Sequence, residues 1–510
     1  MSTPNGNAAE YFVERHRKTR ADKPAFIEAV PKGRQLSYGE LATQSDRMAA
    51  LYARHGIRRE DRAAMLVLDV IEFPVIFWGS LKAGIVPIPL NTLLAADIYA
   101  AILQDSRARV LFVSDALLPA VEPALRDCPD LQKVFVLGEN GAHLPFQAEL
   151  DASEPEPLVR ASADETAFWL YSSGSTGQPK GVRHVHGALQ ATSDTYGAQV
   201  LDIREDDVIL SAAKLFFAYG LGNGMTFPMA VGATTALYPA RPTPDSMFAA
   251  IAHSKPTIFC GVPTLYAAMV HAMAGRMPEG GAGIRRSISA GEALPEEVGK
   301  GWKAVIGTDI LDGVGSTEML HIFLSNTPED VEYGTSGKAV PGYELRLVDE
   351  TGADIAPGEI GELLVNGPSA AESYWNQRAK SRATFEGHWT HTGDKYELRK
   401  DGRLIYCGRT DDMFKVSGIW VSPFEVEQAL TAHPAVLEAA VVSHRDAEGL
   451  EKPKAFVVLK PGSAAEGLSD ELKELVKQRV GKWKYPRWIE MVEDLPKTAT
   501  GKIQRFKLRG

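Results

Sequence analysis

The sequence predicts a mixed α/β protein: a large N-terminal α/β domain followed by a small α+β domain. Three observations carry this. The chain has 510 residues, room for about three folding units at roughly 150 residues each, or for two with one of them large. The first 150 residues alternate strand and helix patterns, which implies a parallel sheet. The stretch from Asp411 to Gly510 differs: it holds 16 Lys and Arg against 15 Asp and Glu, so it is +1 while the remainder is −11.

Ser37-Tyr-Gly-Glu40 has the spacing of a capping box, and Leu41, Met48, Leu51 and Tyr52 then fall on one face, predicting a helix over 38–54. The apolar runs Ala63–Leu68, Val86–Leu90, Val110–Val113 and Val134–Leu137 read as short buried strands. Past residue 410 the pattern is helix (Pro423–Thr431), strand (Leu437–Val442), strand (Ala455–Leu459), helix (Ser469–Val480) and basic extended segments. The turn-rich Lys400-Asp-Gly-Arg403 and the run Gly408-Arg-Thr-Asp-Asp412 set the expected boundary, giving domains 1–410 and 411–510.

Composition excludes several classes. Apolar residues make up 45% and charged residues 24%, the balance of an ordinary globular chain. A net charge of −10 disfavours general nucleic-acid binding. Cys128, Cys260 and Cys407 are far apart and lack metal spacing, so neither a disulfide framework nor a zinc site is expected and a reducing cytoplasm fits. The region Ala63–Leu90 is interrupted by Asp69, Glu72 and Lys82, and the N-terminus lacks a basic-then-apolar pattern. Neither a membrane span nor an export signal is expected.

The sharpest local signal is Tyr171-Ser-Ser-Gly-Ser-Thr-Gly-Gln-Pro-Lys-Gly181, preceded by the strand-like Ala167-Phe-Trp-Leu170. Small hydroxyl and glycine residues after a strand leave backbone N–H groups to point at an anion, so the loop reads as a phosphate cradle. Lys180 precedes Gly181 with no Ser or Thr after it, and Val182–His186 looks extended, which disfavours a Walker-type NTPase. His184 and His186 alternate along that apparent strand and read as structural histidines, since no third ligand follows.

With Gly315-Ser-Thr-Glu318, Thr392-Gly-Asp394, Gly408–Gly418 and Pro496-Lys-Thr-Ala-Thr-Gly-Lys502, this loop makes five motifs in order over nearly the whole chain. Together they resemble the adenylate-forming acyl-CoA synthetases. The similarity is greatest to the benzoate-CoA ligases, through Lys214-Leu-Phe-Phe-Ala-Tyr-Gly-Leu-Gly-Asn223, Ser289-Ala-Gly-Glu-Ala-Leu294 and Glu318-Met-Leu-His-Ile-Phe-Leu-Ser-Asn326. The resemblance implies the adenylate-forming enzyme fold, a large N-terminal multi-layer α/β domain with a small mobile α+β C-terminal domain, and two half-reactions. A carboxylate attacks the α-phosphate of ATP, giving an acyl-adenylate and pyrophosphate; the thiol of coenzyme A then displaces AMP. ATP, Mg²⁺ and coenzyme A are the implied cofactors and co-substrates.

Roles follow from the resemblance, position by position. Ser172, Ser173, Gly174, Ser175, Thr176 and Gly177 wrap the β- and γ-phosphates, with Lys180 bracing the loop. Glu318 supplies a hard oxygen for Mg²⁺ and Thr317 meets the α-phosphate. Gly291, Glu292, Asp312 and Gly313 line the adenine site, where Val314 replaces the aromatic residue of many relatives. Asp394 accepts the ribose hydroxyls and Arg409 lies beside the same sugar. Lys502 reaches the α-phosphate and carboxylate during adenylation. Asp411 matches a hinge, and Lys415, Ser417, Gly418, Ile419 and Trp420 face coenzyme A.

Phe217, Ala218, Tyr219, Ala290, Gly315 and Ile322 form the expected acyl pocket, with His321 nearby. Aromatic walls and bare backbone suit a flat ring. The implied enzyme is an AMP-forming acid–thiol ligase for benzoate, with a hydroxy- or aminobenzoate ligase as nearest rival. Two further readings are delivery of the acyl group to a carrier protein and a non-catalytic nucleotide sensor. The intact coenzyme-A-like segment counts against the first, and Lys502, Glu318 and Asp394 together count against the second. A homodimer and a lysine acetyltransferase acting on Lys502 are compatible partners that the residues do not select.

Overall fold

A computed structural model of the chain describes residues 5–139, 141–173, 179–416, 419–446, 448–465, 467–497 and 503–509. Packing divides the chain into two units, Met1–Glu344 with Val365–Thr390, and Leu345–Leu364 with His391–Gly510. Residues 345–364 and 391–410, which precede the boundary expected from turn and charge signals, thus pack with the second unit. No described helix is long and apolar enough to cross a membrane.

The first unit begins as the alternation predicts. The helix Tyr38–Arg54 is opened by a capping box in which the Ser37 side chain accepts from the Glu40 N–H and the Glu40 carboxylate accepts from the Ser37 N–H. The strands Val86–Pro89, Arg62–Leu66, Val110–Ser114, Lys133–Leu137 and Leu144–Pro145 lie in that order in one parallel sheet. Val110–Ser114 is buried throughout, so it shows a continuous apolar run rather than alternation.

A larger sheet carries the site. Among the described residues its order is Lys338–Ala339, Ile322–Ser325, Ile310–Gly315, Arg286–Ala290, Ile258–Gly261, Val208–Ser211, Thr234–Leu237, Pro24–Glu28 and Gln35–Ser37. The six strands from Ile310–Gly315 to Pro24–Glu28 run parallel, and those beyond them are antiparallel. The helices Pro244–Ser254, Pro263–Met273 and Glu296–Ile306 cover one face, where Phe259, Tyr266 and Trp302 pack ring against ring at 4.8–5.7 Å. The carboxyl ends of parallel strands are where α/β sheets bind ligands, and here Gly261, Ala290 and Gly315 share that edge.

A third sheet in this unit is antiparallel: Thr166–Ser173 pairs with Pro179–Val185, which pairs with Ser373–Tyr374. The extended segment ends one residue earlier than expected. His186 opens the helix His186–Thr192 and its Nδ1 accepts from the Ala8 N–H at 3.2 Å, so it does not alternate with His184.

In the second unit, Val436–Arg445, Glu451–Leu459 and Trp488–Met491 form a sheet accompanied by the helices Pro423–Thr431 and Leu468–Arg479. Phe414–Val416 and Ile419–Val421 make a separate hairpin. Val426, Leu430, Val441, Val457 and Leu472 are central to its core.

Candidate active site

The hairpin that frames the glycine-rich loop sets Ser172 opposite Lys180 and Ser173 opposite Pro179. Gly174, Ser175, Thr176 and Gly177 lie outside the described residues, as does the Ser173 side chain. The Ser172 hydroxyl is buried with no hydrogen-bond partner among the described residues. Lys180 Nζ donates to Glu318 Oε1 at 2.7 Å and to the Tyr374 hydroxyl at 2.9 Å, and that hydroxyl donates to the same Oε1 at 2.8 Å. The base of the loop is therefore joined to a carboxylate 138 positions away. Burial pushes the Glu318 carboxyl up, but the Lys180 ammonium and the Tyr374 hydroxyl outweigh it and hold the group below its ordinary range.

Glu318 sits in a tight connection between antiparallel strands, with Gly315 opposite Ile322. The Met319 N–H donates to Ser316 Oγ at 3.1 Å, the Leu320 N–H to the Thr317 carbonyl at 3.2 Å and the Ala371 N–H to the Glu318 carbonyl at 2.7 Å. Leu320 is buried with φ 63°, a conformation that disfavours a residue with a Cβ and that turns the chain back toward the sheet. A Cβ at Gly315 would lie 2.6 Å from the His321 carbonyl oxygen and 2.7 Å from its carbon. Gly315→Ala is expected to destabilise the first unit by about 1–3 kcal/mol, because backbone rather than a flexible side chain must move. A lowered urea midpoint checks this; an unchanged midpoint contradicts it.

Glu318 suits Mg²⁺. It is an ionised hard carboxylate whose two side-chain hydrogen bonds both fall on Oε1. No group of three or more His, Cys, Asp or Glu converges among the described residues. One carboxylate shared with substrate phosphates is the usual way Mg²⁺ is held.

Asp312 and Gly313 lie on Ile310–Gly315, while Gly291 (φ 98°) and Glu292 follow the end of Arg286–Ala290. Asp312 is in register with Ser289; its Oδ1 and the Ser289 hydroxyl are both buried without a partner among the described residues. Burial raises the Asp312 carboxyl to about 8, against the N–H groups of Leu294 and Gly313 that pull it down. The folded chain thus keeps this proton up to about pH 8, whereas the unfolded chain loses it near the ordinary value of 3.8. Between those values the folded state binds more protons, so stability falls as pH rises. Asp312→Asn is expected to remove that slope: its unfolding midpoint gains on the wild type between pH 5 and pH 8, and parallel pH profiles would contradict the assignment.

The acyl segment is held from below by residues with no local signal. The Asp69 carboxylate accepts from the Leu215 N–H at 3.2 Å and lies 3.8 Å from Lys214 Nζ, which also donates to the Ala240 carbonyl at 2.7 Å. Burial lifts Asp69 to about 6, with Lys214 and the Leu215 N–H opposing. Gly220 closes the turn, since a Cβ there would lie 2.0 Å from the Lys214 carbonyl oxygen. Phe217, Ala218 and Tyr219 are half-buried, and Tyr219 donates its hydroxyl to the carbonyls of Ile288 and Gly261 at 3.0 and 3.1 Å. Tyr219 thereby offers a ring rather than a hydroxyl. Ala290 and Ile322 are buried, and Ile322 packs on Gly313.

In the second unit Asp394 stands opposite Arg409 on paired strands. Arg409 Nη1 donates to Asp394 Oδ1 at 3.1 Å and to the Thr392 carbonyl at 2.9 Å. Asp411 is exposed, and its carbonyl accepts from Arg509 Nη2 at 3.0 Å. Lys415 pairs with Glu350 at 3.0 Å. Ser417, Gly418 and Lys502 lie outside the described residues, as do the side chains of Ile419 and Trp420. The flanks of Lys502 are described: Lys497 bridges Ile503, and the Gln504 N–H donates to the Pro496 carbonyl at 2.7 Å.

Residues 13–375 match the AMP-binding enzyme family and residues 425–502 the AMP-binding enzyme C-terminal domain. The chain is 53% identical to the 4-hydroxybenzoate–CoA/benzoate–CoA ligase of Rhodopseudomonas palustris, over 99% of this chain and 94% of that one. It is also 53% identical to the benzoate–CoA ligase of Thauera aromatica, over 99% and 95%. The crystal structure of a benzoate CoA ligase from Burkholderia xenovorans superposes with a TM-score of 0.90 at 48% identity, covering 100% of both chains. A glycine-rich loop tied through Lys180 to Glu318, on this sheet and in a chain matched from end to end, makes the protein a member of the AMP-binding enzyme family, with the adenylate-forming fold.

Proposed function

We propose that the chain is an AMP-forming ligase that activates benzoate with ATP and transfers the benzoyl group to coenzyme A. The observation that carries the reading is the 2.7 Å link from Lys180 to Glu318, which couples a phosphate-binding loop to an ionised carboxylate. The identity to proteins named benzoate–CoA ligase supports the choice of acid. In the first half-reaction a carboxylate oxygen attacks the α-phosphorus and pyrophosphate leaves. In the second the coenzyme A sulfur attacks the acyl carbon and AMP leaves. The carboxylate is itself the nucleophile, so the chain's task is positioning and charge stabilisation.

In this reading Ser172–Gly177 bind the β- and γ-phosphates while Lys180 braces the loop. Thr317 meets the α-phosphate, and Glu318 holds Mg²⁺, which offsets phosphate charge when bound. Gly291, Glu292, Asp312 and Gly313 receive adenine; Asp394 and Arg409 receive ribose. Phe217, Ala218, Tyr219, Ala290, Gly315 and Ile322 enclose the ring, and residues 415–420 serve coenzyme A. Lys502 acts in adenylation, and Asp411 is the pivot between the two half-reactions.

A reducing cytoplasm suits three free, buried cysteines. The product would feed aromatic-compound degradation. A homodimer and a lysine acetyltransferase silencing Lys502 complete the reading. The name of the Rhodopseudomonas relative favours 4-hydroxybenzoate as a second substrate. Benzoate-dependent exchange of labelled pyrophosphate into ATP tests the first step; exchange that does not depend on an aromatic acid would overturn it.

A further inference from the structure

Two five-residue π-helical turns, Ser193–Gly197 and Gly222–Thr226, flank the acyl segment. Such turns are rare and concentrate at functional sites. Each carries a buried polar side chain, Tyr196 and Asn223, and His321 lies with them. The Tyr196 and His321 ring centroids are 5.2 Å apart. A Cβ on Gly222, the residue before Asn223, would lie 2.4 Å from His321 Cδ2. Phe227 and Tyr219 complete the ring cluster, at 4.5 and 5.8 Å from His321.

Several polar atoms of this cluster lack partners among the described residues. Both amide atoms of Asn223 and His321 Nδ1 are buried with no hydrogen bond among the described residues, and the buried Tyr196 hydroxyl has the Ser325 hydroxyl as its polar neighbour, beyond close hydrogen-bonding geometry. Asn223, Tyr196 and His321 are 0–2% exposed, and buried polar groups are almost always satisfied. The hydroxyl of Ser325, beside Tyr196, donates to the Asn326 carbonyl at 2.7 Å. His321 Nε2 faces the Tyr219 carbonyl at 3.3 Å, so Nε2 carries the ring proton and Nδ1 presents a lone pair. Burial keeps the ring neutral.

We infer that Asn223, Tyr196 and His321 form a recognition site for a neutral hydroxyl or amino substituent on the aromatic ring of the acid. The inference rests on the aryl-CoA ligase reading above and extends it to substituent choice. A ring hydroxyl donates to His321 Nδ1 and accepts from both the Asn223 amide and the Tyr196 hydroxyl, whereas a ring amine donates to His321 Nδ1 and to Asn223 Oδ1. A methyl or fluoro group of similar size leaves all three unpaired. Sites built to hydrogen-bond a substrate group discriminate strongly against analogues that lack it.

The test is thioester formation by the full chain with benzoate and with each hydroxy-, methyl- and fluorobenzoate isomer. It compares the wild type with Asn223→Leu and Tyr196→Phe. For at least one hydroxy isomer, the ratio of its kcat/KM to that of benzoate should fall about tenfold or more in each variant, with the methyl ratios unmoved. Equal loss on every acid, or hydroxy ratios that move less than about twofold, would reduce these residues to packing and overturn the inference. A wild type that rejects every hydroxybenzoate would overturn it as well. If Asn223→Leu does not fold, Tyr196→Phe, which removes a single oxygen, decides alone. A wild type that turns over no aromatic acid overturns the ligase reading itself, whereas benzoate turnover with unmoved ratios overturns this inference only.

Discussion

Lys502→Ala is expected to slow adenylation by about 10²–10³-fold, the effect of losing one preorganised positive group from a charge-developing transition state. Thioester formation from supplied benzoyl-adenylate should survive, because the phosphoryl step is already complete. Among the described residues on either side of Lys502, Lys497 bridges Ile503 and the Pro496 carbonyl accepts from the Gln504 N–H. Ile503 packs on a cluster of Ala440, Val442, Phe456, Val458 and Leu495. Lys502→Gln, which removes the charge as acetylation does, should behave like the alanine variant. Equal loss in both half-reactions would remove the adenylation role from Lys502.

Asp411→Pro should have the opposite profile: adenylation retained and transfer to coenzyme A lowered by about 10²-fold or more, as for reacting groups held out of position. Family resemblance assigns Lys502 to the first half-reaction and the 415–420 segment to the second, and both belong to the second unit. On that resemblance the second unit would present first one and then the other, a change that a few backbone torsions can carry. Proline fixes φ near −65° and removes the N–H. Asp411 lies in the exposed turn between Leu404–Arg409 and Phe414–Val416. Its carbonyl is held by Arg509 and the neighbouring Asp412 carboxylate by Arg505 and Arg509, and the Asp412 and Met413 N–H groups both donate to the Arg409 carbonyl at 3.0 Å, closing the turn across the 410–411 peptide. Normal transfer in the proline variant would remove the pivot from this position.

What the sequence makes legible is what local chemistry determines. The capping box at Ser37, the helix Pro423–Thr431 and the apolar runs of the first parallel sheet carry their signals within a few residues. The glycine-rich loop stands out in the sequence for the same reason, since its residues are contiguous. Contacts between distant segments leave no such trace. Tyr374 meets Glu318 across 56 positions and Asp69 meets Leu215 across 146; neither position stands out in composition or period. Residues 345–364 pack with the second unit through the long-range assembly of strands, which turn and charge signals near residue 410 do not encode. The run Val182–His186 reads as extended through His186, but the chain turns helical at that point. The left-handed Leu320 and the two π-helical turns are imposed by tertiary packing on residues that have no preference for them.

Acid activation and coenzyme A transfer by one chain on an aromatic acid can be checked in a single assay. It follows release of pyrophosphate and AMP from ATP and Mg²⁺, with and without coenzyme A, using benzoate and a medium-chain fatty acid in parallel. The expected result is sustained turnover only with benzoate and coenzyme A together, one pyrophosphate and one AMP for each benzoyl-CoA. Pyrophosphate release without thioester, or equal turnover of the fatty acid, would contradict it.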